Sequence, residues 1–247
     1  QGEQGEMGGQ GAGCTVEPDG SGDNAVITCG ETSQIITAGV TNSGTLDATG
    51  TNGTGGEIAV LGEHVALTDT AVLDASGTHG GGTAFVGGGF AGADPALLNA
   101  QSTAVDAGAI IRADYTQSGD AGRIAVWADD TTTFNGQVLA RASGASGDGG
   151  FIEVSGKRYL TMGGSASTVS ANGVMGTLLL DPGSVRIIDG NNGANASPNV
   201  FTDAWINNQL DSTSLTIQTS AADAGPETIA IEEDVAISWD GDATLTL

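Results

Sequence analysis

The chain has 247 residues, with 42 Gly, 30 acidic side chains against 6 Lys and Arg, 4% aromatics and a formal net charge of −24. Glycine stands well above its usual share of roughly 7%, which argues against a thick globular core and for a thin one of Val, Ile, Leu and Ala. The charge argues against nucleic acid or an anionic membrane as partner, since phosphates are repelled, and reads as the solvated acidic surface of an exported or salt-adapted protein.

Residues 1–33 form a Gly-rich N-terminal segment. Its first thirteen residues have no basic start and no apolar run, so they read as neither a signal peptide nor a membrane span. Cys14 and Cys29 flank a turn signal, Pro18-Asp19-Gly20, and an apolar run. A hairpin closed by a disulfide is expected there, worth about 3 kcal/mol for a loop of this size and implying an oxidising compartment; a reduced pair is the alternative. Asp19-Gly20-Ser21-Gly22-Asp23 alternates oxygen donors as a Ca²⁺ loop does, but Gly30 stands where a bidentate Glu is needed. The pentad therefore reads as a turn, with Ca²⁺ as the weaker reading and no other cofactor expected.

Residues 34–188 carry a repeat. The phrase apolar, any residue, Ala, small or polar, Gly occurs as Leu46-Asp47-Ala48-Thr49-Gly50 and as Leu73-Asp74-Ala75-Ser76-Gly77. It returns as Ala140-Arg141-Ala142-Ser143-Gly144 and Val169-Ser170-Ala171-Asn172-Gly173, with a degenerate copy at Ile111-Arg112-Ala113-Asp114-Tyr115. The offsets are 27, 38, 29 and 29 residues, the long one explained by an insertion at 92–99. Each copy leads into a Gly-rich turn and a new strand with alternating inward residues, such as Ile58/Val60, Ile124/Val126 and Ile152/Val154. Each repeat holds about three short strands, for example 57–60, 64–68 and 71–75. One such unit cannot bury its own apolar face, but stacked units can, by pairing each strand with its equivalent one repeat later. The expected fold is all-β: a right-handed parallel β-helix whose repeat core is Leu46, Ala48, Leu73, Ala75, Ile111, Ala113, Ala140, Ala142, Val169 and Ala171. An antiparallel sandwich, the structural rival, predicts no phrase returning at this period.

Residues 189–212 break the pattern. Asp181-Pro182-Gly183 is a turn, 190–198 is loop-like, and 201–210 has apolar residues at 201, 205, 206 and 210, predicting a short helix capped by Thr202. Residues 213–247 resume strands, expected at 214–218, 228–231 and 236–239, with the chain ending in mid-strand. Trp205 and Trp239 read as packing anchors.

Candidate chemistry is sparse. Asp129-Asp130, beside Trp127 and Arg123, is the one suggestive carboxylate cluster, yet adjacent strand residues point to opposite faces, so a turn outweighs a catalytic dyad. The glycine strings at 80–82 and 87–89 precede no helical pattern and read as turns rather than phosphate cradles. The expectation is a protein without catalysis.

Three runs, Ala121-Gly122-Arg123-Ile124-Ala125-Val126-Trp127-Ala128-Asp129-Asp130-Thr131-Thr132-Thr133-Phe134-Asn135-Gly136, Gly149-Gly150-Phe151-Ile152-Glu153-Val154-Ser155-Gly156-Lys157 and Gly176-Thr177-Leu178-Leu179-Leu180-Asp181-Pro182, resemble filamentous-haemagglutinin-like exoproteins. So does the tail, Ile237-Ser238-Trp239 with Ala243-Thr244-Leu245-Thr246-Leu247. The likeness spans roughly 56–247. It implies a β-helical stalk exported by two-partner secretion and serving at the cell surface as adhesin, biofilm matrix component or toxin-delivery stalk. Implied partners are a host or neighbouring cell surface, glycans or matrix; stacking of further copies end to end into fibres is expected separately, because open sheet edges invite pairing. The Asn-Pro-Asn motifs of that family's secretion module do not occur here, Ser197-Pro198-Asn199 being nearest, which implies a segment beyond that module. A β-helical polysaccharide-binding or polysaccharide-cleaving protein is the alternative.

Overall fold

Short strands separated by glycine and Asx turns follow one another along the chain because no apolar run is long enough for anything else. The computed structural model describes residues 14–18 and 25–29 as backbone, and 39–190, 197–219 and 227–247 in full. Strands β1 (Cys14–Pro18) and β2 (Ala25–Cys29) form an antiparallel hairpin with Cys14 opposite Cys29. The side chains of both cysteines, and the pentad at 19–23, lie outside the described residues.

Next come β3 (Gly39–Asn42) and β4 (Thr45–Asp47). Three strands then recur: β5 (Glu57–Val60), β6 (His64–Leu67) and β7 (Val72–Asp74), followed by β8 (Thr83–Val86), β9 (Ser102–Val105) and β10 (Ile110–Arg112). The recurrence continues with β11 (Arg123–Ala128), β12 (Thr131–Phe134) and β13 (Gln137–Leu139), then β14 (Phe151–Gly156), β15 (Tyr159–Met162) and β16 (Ser165–Ser167). After β17 (Thr177–Leu180) and β18 (Val185–Ile188) come β19 (Val200–Thr202), the helix α1 (Asp203–Leu210), β20 (Ser214–Ile217), β21 (Ile229–Ile231) and β22 (Leu245–Thr246).

The fold is all-β with parallel sheets and, among the described residues, a single α-helix. The first sheet runs β2-β1-β5-β8-β11-β14-β17-β20-β22, the second β3-β6-β9-β12-β15, the third β4-β7-β10-β13-β16, and a fourth holds β19-β18-β21. Inward residues stack on their own kind. Ile58, Ala84, Ile124, Ile152, Leu178 and Leu215 form one row of the first sheet, and Val60, Val86, Val126 and Val154 another. Side chains from all three long sheets meet in one buried cluster. Each large aliphatic member contributes about 1.5–3 kcal/mol by leaving water.

Glycine sets how closely the repeats approach. A Cβ on Gly82, Gly122, Gly150 or Gly176 would land on the carbonyl oxygen of its counterpart one repeat earlier, Gly56, Gly82, Gly122 or Gly150. Those four contacts are backbone against Cβ, so no side chain fits there.

The third sheet corrects the register read from the repeated phrase. Leu46, Leu73 and Ile111 align, but the row continues through Val138 and Ala166, not Ala140 and Val169. Ala140 belongs to the row of Ala48, Ala75 and Ala113, since the Ala113 N–H bonds to Leu139 O just as the Ala75 N–H bonds to Arg112 O. A slip of two residues keeps a side chain on the same face, so Ala140 and Ala142 are buried all the same. Val169 is three residues beyond the aligned position, an odd slip that turns it outward. It is half-buried and Ala171 is exposed, while Ala166 and Thr168 point inward.

Two further expectations change. Residues 236–239 are not a strand: the Ala236 N–H bonds to Asp203 Oδ2 and the Ser238 N–H to Asn207 Oδ1, so helix side chains take the place of a neighbouring strand. Trp239 is 37% exposed and donates its indole N–H to Ala243 O, whereas Trp205 is buried at 3%. Among the described residues no helix is long and apolar enough to cross a membrane.

Candidate functional site: the covered outer face and the helix-capped edge

Outward residues of a sheet normally meet solvent, yet Ala125, Trp127, Glu153 and Ser155 on the first sheet are buried. Residues 87–101 cover Trp127 and Glu153, while Asp181 lies against Ser155. Where β11–β12 and β14–β15 are joined by two residues, β8–β9 is joined by this long loop, which folds back over the sheet. Gly87 and Gly92 carry φ of 75° and 58°, and a Cβ on Gly92 would strike the Trp127 ring, so glycine is needed for both the turn and the approach. Phe90 packs edge-on against Phe85, with ring centroids 5.7 Å apart, and tilted against Phe151 at 5.6 Å. The Arg123 guanidinium lies 4.2 Å above the Phe90 ring and 5.4 Å from that of Phe151, a cation–π clasp between loop and sheet.

Beneath the loop, the Ala91 N–H donates to Glu153 Oε2 at 2.9 Å, while Glu153 Oε1 is buried without a hydrogen-bond partner among the described residues. Burial pushes the Glu153 carboxyl above its ordinary value. The Ala91 N–H, the Ser155 side chain and the Arg123 charge pull it down, and the negative charge of Asp181 adds to the rise. Asp181 is itself buried; its N–H bonds to Ser155 Oγ and its Oδ2 accepts from Gln218 Nε2. Within the loop, Asn99 Nδ2 donates to Gly92 O and Asp129 Oδ1, and its own Oδ1 is a second buried acceptor without a partner among the described residues.

Asp129 and Asp130, read from the sequence as a turn rather than a catalytic dyad, engage separate partners. Asp129 accepts from the Trp127 indole at 2.9 Å and from Asn99, while Asp130 faces Arg158 at 3.8 Å and accepts from the Thr131 hydroxyl. Among the described residues no group of three or more His, Cys, Asp and Glu is placed to hold a metal ion.

A second arrangement lies where α1 meets the third sheet. Asp203 starts this helix with Thr202 Oγ1 accepting from the Trp205 N–H, the cap read from the sequence. The Asp203 carboxylate also gathers the N–H groups of Ala236, Gly190 and Ala204, at 2.9, 3.1 and 2.7 Å. These bonds, the one from Ala236 foremost, hold its carboxyl below the ordinary aspartate value against the opposing effect of burial. At the edge strand β16 the helix and the turn that follows it supply what a neighbouring strand would. Gln209 Oε1 accepts from the buried Ala166 N–H at 2.9 Å, Ser212 Oγ donates to Ala166 O at 3.0 Å, and the Trp205 indole donates to Gly164 O at 3.1 Å. Between helix and sheet this leaves a groove of about 350 Å³.

Of the predicted repeat-core residues, Ala142, Val169 and Ala171 line another surface groove, of about 410 Å³, beside the Arg141–Asp114 ion pair. Glu153 and Gln209 escaped the sequence reading. Glu153 sits between Ile152 and Val154, where alternation places it outward, and only the long offset between repeats hints that something covers it. Gln209 is an ordinary polar helix residue until β16 is placed beside it. No protein-family model matches the chain, and no curated protein is similar to it.

Proposed function

We propose that the three long parallel sheets close into a right-handed β-helix and that the chain is a secreted, extracellular structural and adhesive module of a large bacterial surface protein. The observation that carries this reading is the continuous parallel register of the first sheet from β5 to β20, with aliphatic rows inside and glycine rows at the turns. Such stacking makes a stiff body whose length grows by repetition, suited to holding binding parts away from a cell and to joining other copies end to end. The net charge of −24 keeps it soluble and repels nucleic acid and anionic lipid, so its partners are a host or neighbouring cell surface, glycans or matrix. The resemblance to filamentous-haemagglutinin-like exoproteins points the same way and supplies two-partner secretion as the export route. The module acts without catalysis.

Beads coated with the purified chain test the adhesive role. Attachment to cell monolayers or deposited matrix well above an albumin-coated control is expected; attachment equal to the control defeats it. The polysaccharide-cleaving alternative predicts release of reducing ends or unsaturated sugars, abolished by Asp129→Ala or Glu153→Gln. Such release would overturn the non-catalytic reading.

A further inference from the structure

We propose that the groove between α1 and the edge of the third sheet binds a neutral oligosaccharide. The inference rests on the adhesive reading above and names the class of ligand that such adhesion would use.

The groove has no ionisable side chain among its lining residues, in a chain with 30 acidic residues. What lines it instead is amide and hydroxyl: Asn135, Gln137, Ser165, Asn208 and Gln209. Asn135, Gln137, Ser165 and Asn208 are exposed, and none of their side chains enters a hydrogen bond among the described residues. Gln209 differs. It is 5% exposed, and because its Oε1 accepts from the Ala166 N–H, the orientation of its amide is fixed. Its Nε2 bonds to nothing among the described residues, so a buried side chain presents two N–H donors at a set angle. Trp205 forms the wall behind it, its own indole N–H spent on Gly164 O.

A ligand matching this lining offers many neutral donors and acceptors and no charge. Vicinal hydroxyls of a sugar do this: each hydroxyl donates and accepts, and each free amide does the same in return. An acidic polymer is disfavoured by the field of the chain, and a cationic one finds no carboxylate in the groove. The lining comes from three successive repeats, Ala107, then 135–137, then 163–165, so the groove runs about 10 Å along the stack at the usual strand spacing, room for a short stretch of a linear glycan.

Titration calorimetry on the whole chain tests this, with cellohexaose, xylohexaose, maltohexaose and chitohexaose as neutral probes and polygalacturonate and heparin as acidic ones. The expected result is saturable binding of at least one neutral hexasaccharide and of neither acidic polymer. The double variant Asn135→Ala, Asn208→Ala should weaken that binding about tenfold or more, the loss of two hydrogen bonds, with circular dichroism and the melting temperature unchanged because both residues are exposed. No neutral probe bound at millimolar concentration, binding unchanged in the double variant, or equal binding of the acidic polymers each overturns the proposal. Should the groove fail while coated beads still attach to cells, the adhesive module stands and its contact surface lies elsewhere.

Discussion

Residues 39–180 and residues 185–247 hold themselves together by different means. In the first region like stacks on like: backbone ladders, aliphatic rows and glycine rows repeat, and side-chain bonds between repeats, such as Arg141 to Asp114 and Thr132 to Ser155 O, add to a ladder that is already in place. In the second, ladders persist at β18–β19, β18–β21 and β20–β22, and polar side chains join the segments that have no strand beside them. Gln209 and Ser212 engage β16, Asp203 and Asn207 hold 236–238, and Asn199 Oδ1 accepts from the Leu160 N–H. The first region is therefore sensitive to volume at many equivalent positions. The second is sensitive to chemistry at a few unique ones.

Substitutions should separate the two. The largest effect is expected from Gly150→Val, whose new side chain collides with Gly122 O and the Ala140 Cβ. A loss of about 4 kcal/mol or more by urea unfolding follows, since neither neighbour can yield; near wild-type stability would mean that the repeats do not meet at backbone contact. Phe134→Ala empties a fully buried place in the row Val105, Phe134, Met162 and should cost about 3–5 kcal/mol by the same measurement. In the second region Gln209→Ala leaves the Ala166 N–H buried without an acceptor, a cost of about 1–3 kcal/mol, and hydrogen exchange should speed up at Ala166 before the first sheet is affected. Uniform exchange across both regions would argue that they unfold as one.

The smallest effects are in pH dependence, and they carry opposite signs. The Glu153 value is raised on folding, so its contribution is present below the ordinary glutamate value and is lost as pH climbs through the raised one. Glu153→Gln should flatten that alkaline-side decline. The Asp203 value is lowered, so its contribution is present above the ordinary aspartate value and is lost as pH falls through the lowered one. Asp203→Asn should flatten the acid-side decline instead. Melting temperatures of both variants across the acid-to-neutral range check this, and slopes of the same sign in the two would contradict the assignment.

Much of the first region was legible because its signals are local. Alternation in Ile124/Val126 and Ile152/Val154 marks strands, and Gly122 and Gly150 mark the turns before them. Thr202 announced its helix for the same reason. Register was less legible. Ala140 opens a full copy of the repeated phrase, ending in Gly144, where the run from Val138 ends in Ala142, so the phrase favours a two-residue slip that leaves the buried face unchanged, whereas Val169 and Ala171 were placed inside by an odd slip that only strand pairing reveals. The site residues were least legible. Burial of Glu153 depends on Ala91, 62 residues away, and the role of Gln209 on Ala166, 43 residues away. Neither pair leaves a mark in the residues around it.

The amide and hydroxyl closure of β16 has a consequence for behaviour in crowded solution. A bare strand flank offers a row of vacant donors and acceptors on which foreign chains can seed. At Ala166 both groups are already occupied, by Gln209 and Ser212, so the third sheet presents no template there.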